Sequence, residues 1–149
     1  MSKSVEVKVS VEEAQRMLDE FADPSKVARM ISRAVFHAAK VLQTNTINKL
    51  KAKMGDKATN PSKRWGLTLV DGVRATKGKY GNAKTHIMGD FRLKWLELGT
   101  QPRQTTKGYN RGAVTGIHFF EEARQETDVE EAIMRSLTKS INNAKKKAR

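Results

Sequence analysis

The chain has 149 residues and a net charge of +13, a length that makes one ordinary domain burying roughly two-thirds of its unfolded surface. It contains no cysteine, which excludes a disulfide framework and a thiolate metal site, and no run approaches the ~18 to 20 apolar residues that a membrane span needs. A soluble, intracellular single domain over residues 1–149 is expected, with no cofactor, metal or membrane partner. The charge is concentrated in the middle: residues 48–112 carry 15 Lys/Arg against 4 Asp/Glu, whereas residues 1–47 and 113–149 each carry 7 against 6. A solvated lysine-rich surface and a face turned toward DNA or an acidic protein both fit that distribution.

Val5, Val7 and Val9 alternate with polar residues, which predicts a short first strand. Ser10 with Glu13 forms a capping-box pattern, and Ala14, Met17, Leu18 and Phe21 share one face of a helix over residues 11–21. Asp23-Pro24 then opens the longest helix, Pro24–Met54, with Asp23 as cap and Pro24 at the first helical position. Gly55 is placed to close it with a positive φ. Residues 55–63, with Asn60-Pro61, read as a loop. Leu67-Thr68-Leu69-Val70, Val73-Arg74-Ala75-Thr76 and Lys84-Thr85-His86-Ile87-Met88 read as strands of a meander, turned at Asp71-Gly72 and at residues 77–82. The apolar residues Phe91, Leu93, Trp95 and Leu98 fit either a strand or a short helical turn before Gly99.

Residues 99–116 hold four glycines, one proline, no acidic residue and the cations Arg103, Lys107 and Arg111. So long a connection reads as a flexible, functional loop. Phe119 and Phe120 enter a short helix, Thr127-Asp128-Val129-Glu130 reads as a capping box, and an amphipathic last helix ends in Lys145, Lys146 and Lys147, with residues 145–149 a basic tail that frays. The fold class expected is α+β: a small antiparallel sheet of about four strands packed against one long and one or more shorter amphipathic helices.

Catalytic chemistry finds no foothold in these patterns. His37, His86 and His118 lie on separate elements without metal-ligand spacing, the acidic pairs Glu12-Glu13 and Glu130-Glu131 read as solvated helix faces, and no phosphate-binding glycine pattern or nucleophile elbow occurs. The chain is expected not to be an enzyme. A nuclease would require Asp71, Asp90 and Glu97 to meet around a cation. Trp65, Tyr80, Trp95 and Tyr109 are interleaved with basic residues, a composition that serves stacking on single-stranded bases, but a small core needs the same rings, and Trp65 and Trp95 are expected to pack there. Lys77, Lys79, Lys84, Arg92 and Lys94 are the candidate DNA-facing cations, through non-specific attraction to phosphates.

Trp95-Leu96-Glu97-Leu98-Gly99-Thr100, the polar loop, Phe119-Phe120 with Ala123, and the terminal helix resemble the tail-completion (head–tail joining) family of long-tailed double-stranded-DNA bacteriophages. In that family an aromatic-x-Glu-hydrophobic-Gly-Thr segment precedes a variable loop and a Pro-Phe-Leu-x-Pro-Ala motif; both prolines are absent here. The resemblance spans residues 24–149 and implies a virion structural protein in the tail or neck, assembled in the host cytoplasm. It further implies a ring, hexameric in the family, around the DNA channel, with the tail-tube protein, the head connector and neighbouring copies as partners. Glu97, Gly99, Thr100, Arg103, Lys107, Arg111, Phe119 and Phe120 are then the candidate subunit-interface residues. If Glu97 lies in an extended segment, its carboxylate points away from Leu96 and Leu98, toward a cation or a backbone N–H. The alternative function is a stand-alone basic nucleic-acid-binding module.

Overall fold

The computed structural model describes residues 23–147; the strand expected at residues 5–9, the helix at 11–21 and the end of the basic tail lie outside them. Helix α1, Pro24–Met54, is the spine. Asp23 accepts the Ser25 N–H at 2.9 Å, Pro24 occupies the first turn, and Gly55 ends the helix at φ 57°, its N–H donating to Lys51 O. A 3₁₀ turn, Gly55–Ala58, follows. The inward stripe of α1 includes Ala34, Ala38 and Ala39, small residues that let a neighbouring helix approach closely. Against α1 pack the last two helices, α3 (Phe119–Glu126) and α4 (Val129–Lys147).

Strands β1 (Arg74–Lys77) and β2 (Ala83–His86) form an antiparallel hairpin in which Arg74 faces His86 and Lys77 faces Ala83. Two polar bonds sew it to α1: Gln43 Nε2 donates to Val73 O at 2.8 Å, and Thr85 Oγ1 donates to Ala39 O at 2.6 Å. Helix α2 is Phe91–Leu98. The core sits where these pieces meet, built from Leu50, Ala58, Leu69, Val73, Ile87, Leu93 and Phe119.

The expected α+β architecture with about four strands does not form. Among the described residues there are four α-helices and one two-stranded sheet, a predominantly helical fold carrying one hairpin. Two local bonding choices account for the missing strands. Thr68 Oγ1 donates to Asp71 Oδ2 at 2.7 Å and accepts the Asp71 N–H at 3.2 Å, which coils the Leu67-Thr68-Leu69-Val70 segment into a turn and the 3₁₀ helix Val70–Gly72 instead of leaving its backbone free for a ladder. Further on, the Asp90 carboxylate accepts the Arg92 N–H at 3.0 Å, an N-cap that starts α2. There Leu93 and Glu97 are buried while Phe91, Trp95 and Leu98 are exposed, a period of four that the alternation of apolar residues at 91, 93 and 95 had concealed.

The α3–α4 junction also differs in detail from the capping box expected at Thr127. The Thr127 hydroxyl donates backward to Ala123 O at 2.6 Å, and Asp128 caps α4 by accepting the Glu131 N–H at 2.9 Å.

Candidate functional site

Helix α2 is fixed at both ends, and its C-terminal end organises the residues of the tail-completion resemblance. Gly99, at φ 77°, turns the chain out of the helix. Strand-like pairing then brings residues 114–118 back alongside: Thr100 N donates to Val114 O at 2.8 Å, Val114 N donates to Thr100 Oγ1 at 2.9 Å, and Ile117 N donates to Leu96 O at 2.7 Å. The carbonyl left open at the end of α2 is thereby satisfied by a remote segment. The approach is close enough that a Cβ on Gly99 would lie 2.7 Å from Val114 O, and one on Gly116 2.8 Å from Glu97 O.

Glu97 completes the arrangement. His118 occupies the N-cap position of α3 in the left-handed region, φ 49°, and makes no side-chain cap. The Glu97 carboxylate supplies the cap from α2: Oε2 accepts the Phe120 N–H at 2.8 Å and Oε1 the Glu121 N–H at 2.9 Å. A buried anion thus meets the positive end of a helix dipole and two of its unpaired donors at once. Phe119 beside it is fully buried and Phe120 packs at the edge of the core. Glu97, Gly99, Thr100, Phe119 and Phe120 therefore come together as one clasp. No cap motif in the local sequence shows this, because the capping residue lies more than twenty positions upstream of the helix it caps.

The clasp presents residues 101–113 as a narrow hairpin. Arg103 N donates to Gly112 O at 3.2 Å, Arg111 N to Arg103 O at 2.7 Å, and Thr105 N to Tyr109 O at 2.8 Å. Arg103, Lys107, Tyr109 and Arg111 on it are exposed.

The outward side of α2 carries an apolar face, on which Trp65 and Trp95 are exposed rather than packed in the core as expected. Trp65, Phe91 and Trp95 form an edge-to-face ladder with ring centroids 5.3 and 5.0 Å apart. Trp65 is 46% exposed, Phe91 47%, Trp95 39% and Leu98 66%. Arginines cover the ends of the ladder: Arg64 lies 5.0 Å and Arg92 5.6 Å from the Trp65 ring, and Arg103 of the hairpin 5.2 Å from Trp95. Such cation–π contacts stiffen both partners and cover the ring faces onto which a base would stack.

The candidate DNA-facing cations are not equivalent. Arg92 is bound to Asp90 through both carboxylate oxygens and donates to Leu67 O at 3.2 Å, and Lys77 Nζ lies 4.9 Å from the centre of the Phe36 ring. Lys79, Lys84 and Lys94 are exposed. The acidic trio considered for a nuclease has other occupations: Asp71 bonds Thr68, Asp90 bonds Arg92, and Glu97 caps α3. Glu97, His118 and Glu121 do bring ligand atoms within 4.8 Å of one another, but both Glu97 oxygens already accept backbone N–H groups.

Searches against family models, curated proteins and solved structures return no match to this chain.

A second charged region lies at the α3–α4 corner, where Glu126, Asp128, Glu130 and Glu131 cluster next to exposed Val129 and Met134. Glu126, Asp128 and Glu131 rim a cleft of about 240 Å³ between α1 and the start of α4 that also involves His37, Asn45 and Arg135. Nearby, Lys53 bonds Glu122 at 2.6 Å and Lys49 bonds Glu126 at 2.6 Å, tying α3 to α1.

Two of these ion pairs set an acid response. The Arg92 guanidinium holds the Asp90 carboxyl below its ordinary value, and the Lys53 ammonium does the same to Glu122. A carboxyl with a folded pKa below its unfolded one contributes stability above the unfolded value and loses it as pH falls through the folded one. Stability is therefore expected to drop as pH falls below about 4, and Asp90→Asn is expected to flatten that drop in urea unfolding measured against pH. An unchanged slope in the variant would refute the assignment.

Proposed function

We propose that this chain is a non-enzymatic structural protein of a bacteriophage virion that completes the tail or joins it to the head connector, as a ring around the DNA channel. The observation that carries the reading is the exposed Trp65–Phe91–Trp95–Leu98 face with Arg64 and Arg103 at its edges. Aromatic residues and arginine are the types enriched at protein interfaces and at their energetic centres. An apolar face held rigid by stacking, on the helix that carries the Glu97-Leu98-Gly99-Thr100 motif, is suited to burial against another subunit.

A ring of like subunits joins two unlike faces of the chain. The acidic corner of Glu126, Asp128, Glu130 and Glu131, with exposed Val129 and Met134, complements the arginine-edged aromatic face in charge and in apolar content. A second copy, docked head to tail, is the occupant this pairing favours. The hairpin at residues 101–113, with exposed Lys107 and Arg111, is left to meet the tail-tube protein or the connector.

Deletion of residues 102–113 tests the division of roles. With a Gly-Asn-Gly bridge in place of the deleted residues the Thr100–Val114 bonds can still close the clasp, so the shortened protein is expected to fold with an unchanged circular dichroism spectrum. Lysates of phage carrying it are expected to accumulate unjoined heads and tails. Joined particles at the normal yield would contradict the reading, and an unfolded variant would assign the hairpin to the core instead.

A further inference from the structure

The opposite end of the helical layer carries a basic groove that linear charge counting does not reveal. The first turns of α1 and the last turns of α4 lie side by side and enclose an open groove of about 680 Å³, lined by Lys26, Arg29 and Arg33 on one wall and Lys146 and Lys147 on the other. Each terminal stretch of sequence is nearly neutral. Among the described residues, these five cations gather at one end of α1, while Glu122 and Glu126 of α3 bond Lys53 and Lys49 near the other. None of the five is paired with a carboxylate among the described residues. Asp23, whose carboxyl is influenced by Lys26, is occupied in capping α1 through Ser25. Lys146 and Lys147 have a local reason to be there, since they oppose the negative end of the α4 dipole. Lys26 has the reverse: it lies in the first turn of α1, where no acidic residue stands and where a cation is disfavoured.

We propose that this groove binds the phosphodiester backbone of DNA. Its shape favours a strand over a single anion. From Lys26 to Arg33 the helix rises about 10 Å, longer than a single phosphate group, and Ser140 and Asn143 of the facing helix add neutral hydrogen-bonding groups to the lining. The site is separate from the aromatic face and from Lys79, Lys84 and Lys94. It does not depend on the assembly reading, and a chain that failed to self-associate would leave it standing.

The test is fluorescence anisotropy of the full-length protein with a labelled random-sequence DNA duplex. Neutralising about four phosphates predicts a logarithmic salt slope near −4, which is roughly a hundredfold loss of affinity between about 50 and 200 mM salt. The double variants Arg29→Ala with Arg33→Ala, and Lys146→Ala with Lys147→Ala, are each expected to lower affinity at least about tenfold at the lower salt and to reduce the slope by about two. All four residues are exposed, so both proteins are expected to keep the parent circular dichroism spectrum. The triple variant Lys79→Ala, Lys84→Ala, Lys94→Ala is expected to bind within about twofold of the parent. The proposal is overturned if the parent does not bind at the lower salt, or if the triple variant loses binding while the groove variants keep it. Displacement of the duplex by polyglutamate or by phosphatidylserine vesicles as readily as by unlabelled DNA would also overturn it.

Discussion

Replacing Glu97 with alanine is expected to destabilise the protein by about 2–4 kcal/mol, and replacing it with glutamine by about half as much, read from urea unfolding at neutral pH. The buried carboxylate satisfies two N–H groups at the start of α3. Hydrogen bonds to an ion contribute about 1.5–3 kcal/mol each, and donors left buried without partners add a desolvation cost. Glutamine retains one acceptor oxygen but not the charge that opposes the helix dipole. His118 at the N-cap position does not replace it, because its exposed ring makes no side-chain cap to the first turn. A loss below about 0.5 kcal/mol for the alanine variant, the scale of an ordinary surface change, would mean that α3 does not depend on this cap.

Phe119→Ala is expected to cost about 3–5 kcal/mol. The ring is completely buried in the cluster of Leu50, Leu69, Val73 and Leu93, so its loss opens a cavity where α1, α2 and α3 meet. Since Glu97 caps the helix whose first residue is Phe119, the two positions act on one unit, and the double variant is expected to be less destabilised than the sum of the singles by about 0.5–3 kcal/mol. Strict additivity in a double-mutant cycle would separate the cap from the packing. Against a total stability of about 5–15 kcal/mol, either change alone is large.

The helical spine was legible because its signals are local. Asp23, Pro24 and Gly55 mark the ends of α1 within one turn of where they act, and the inner stripe recurs along the whole helix. The sheet was overread for an equally local reason. Leu67-Thr68-Leu69-Val70 has strand composition, but the Thr68–Asp71 bonds curl it, and the alternation at Phe91, Leu93 and Trp95 satisfies a strand pattern while Asp90 starts a helix.

At the candidate site the contacts were not legible in the sequence. Glu97 was expected to reach a cation or a backbone N–H, and it meets two N–H groups, although from a helix and across a chain separation that no local motif records. Trp65 and Trp95 were expected inside because large rings usually are. Only the fold shows that they lie on the outward side of α2, and that the lysines of the C-terminal tail share a groove with Arg29 and Arg33.

Sedimentation of two complementary variants tests most directly whether the aromatic face meets the acidic corner of another copy. Trp95→Ser damages the face and leaves the corner intact, while Glu130→Lys with Glu131→Lys does the reverse at exposed positions. The parent protein is expected to form larger species as its concentration rises. Each variant alone is expected to stay monomeric, and an equimolar mixture to form one-to-one pairs and nothing larger, because only one intact face and one intact corner can meet. A parent that stays monomeric, variants that assemble as the parent does, or a mixture without pairs would contradict the account.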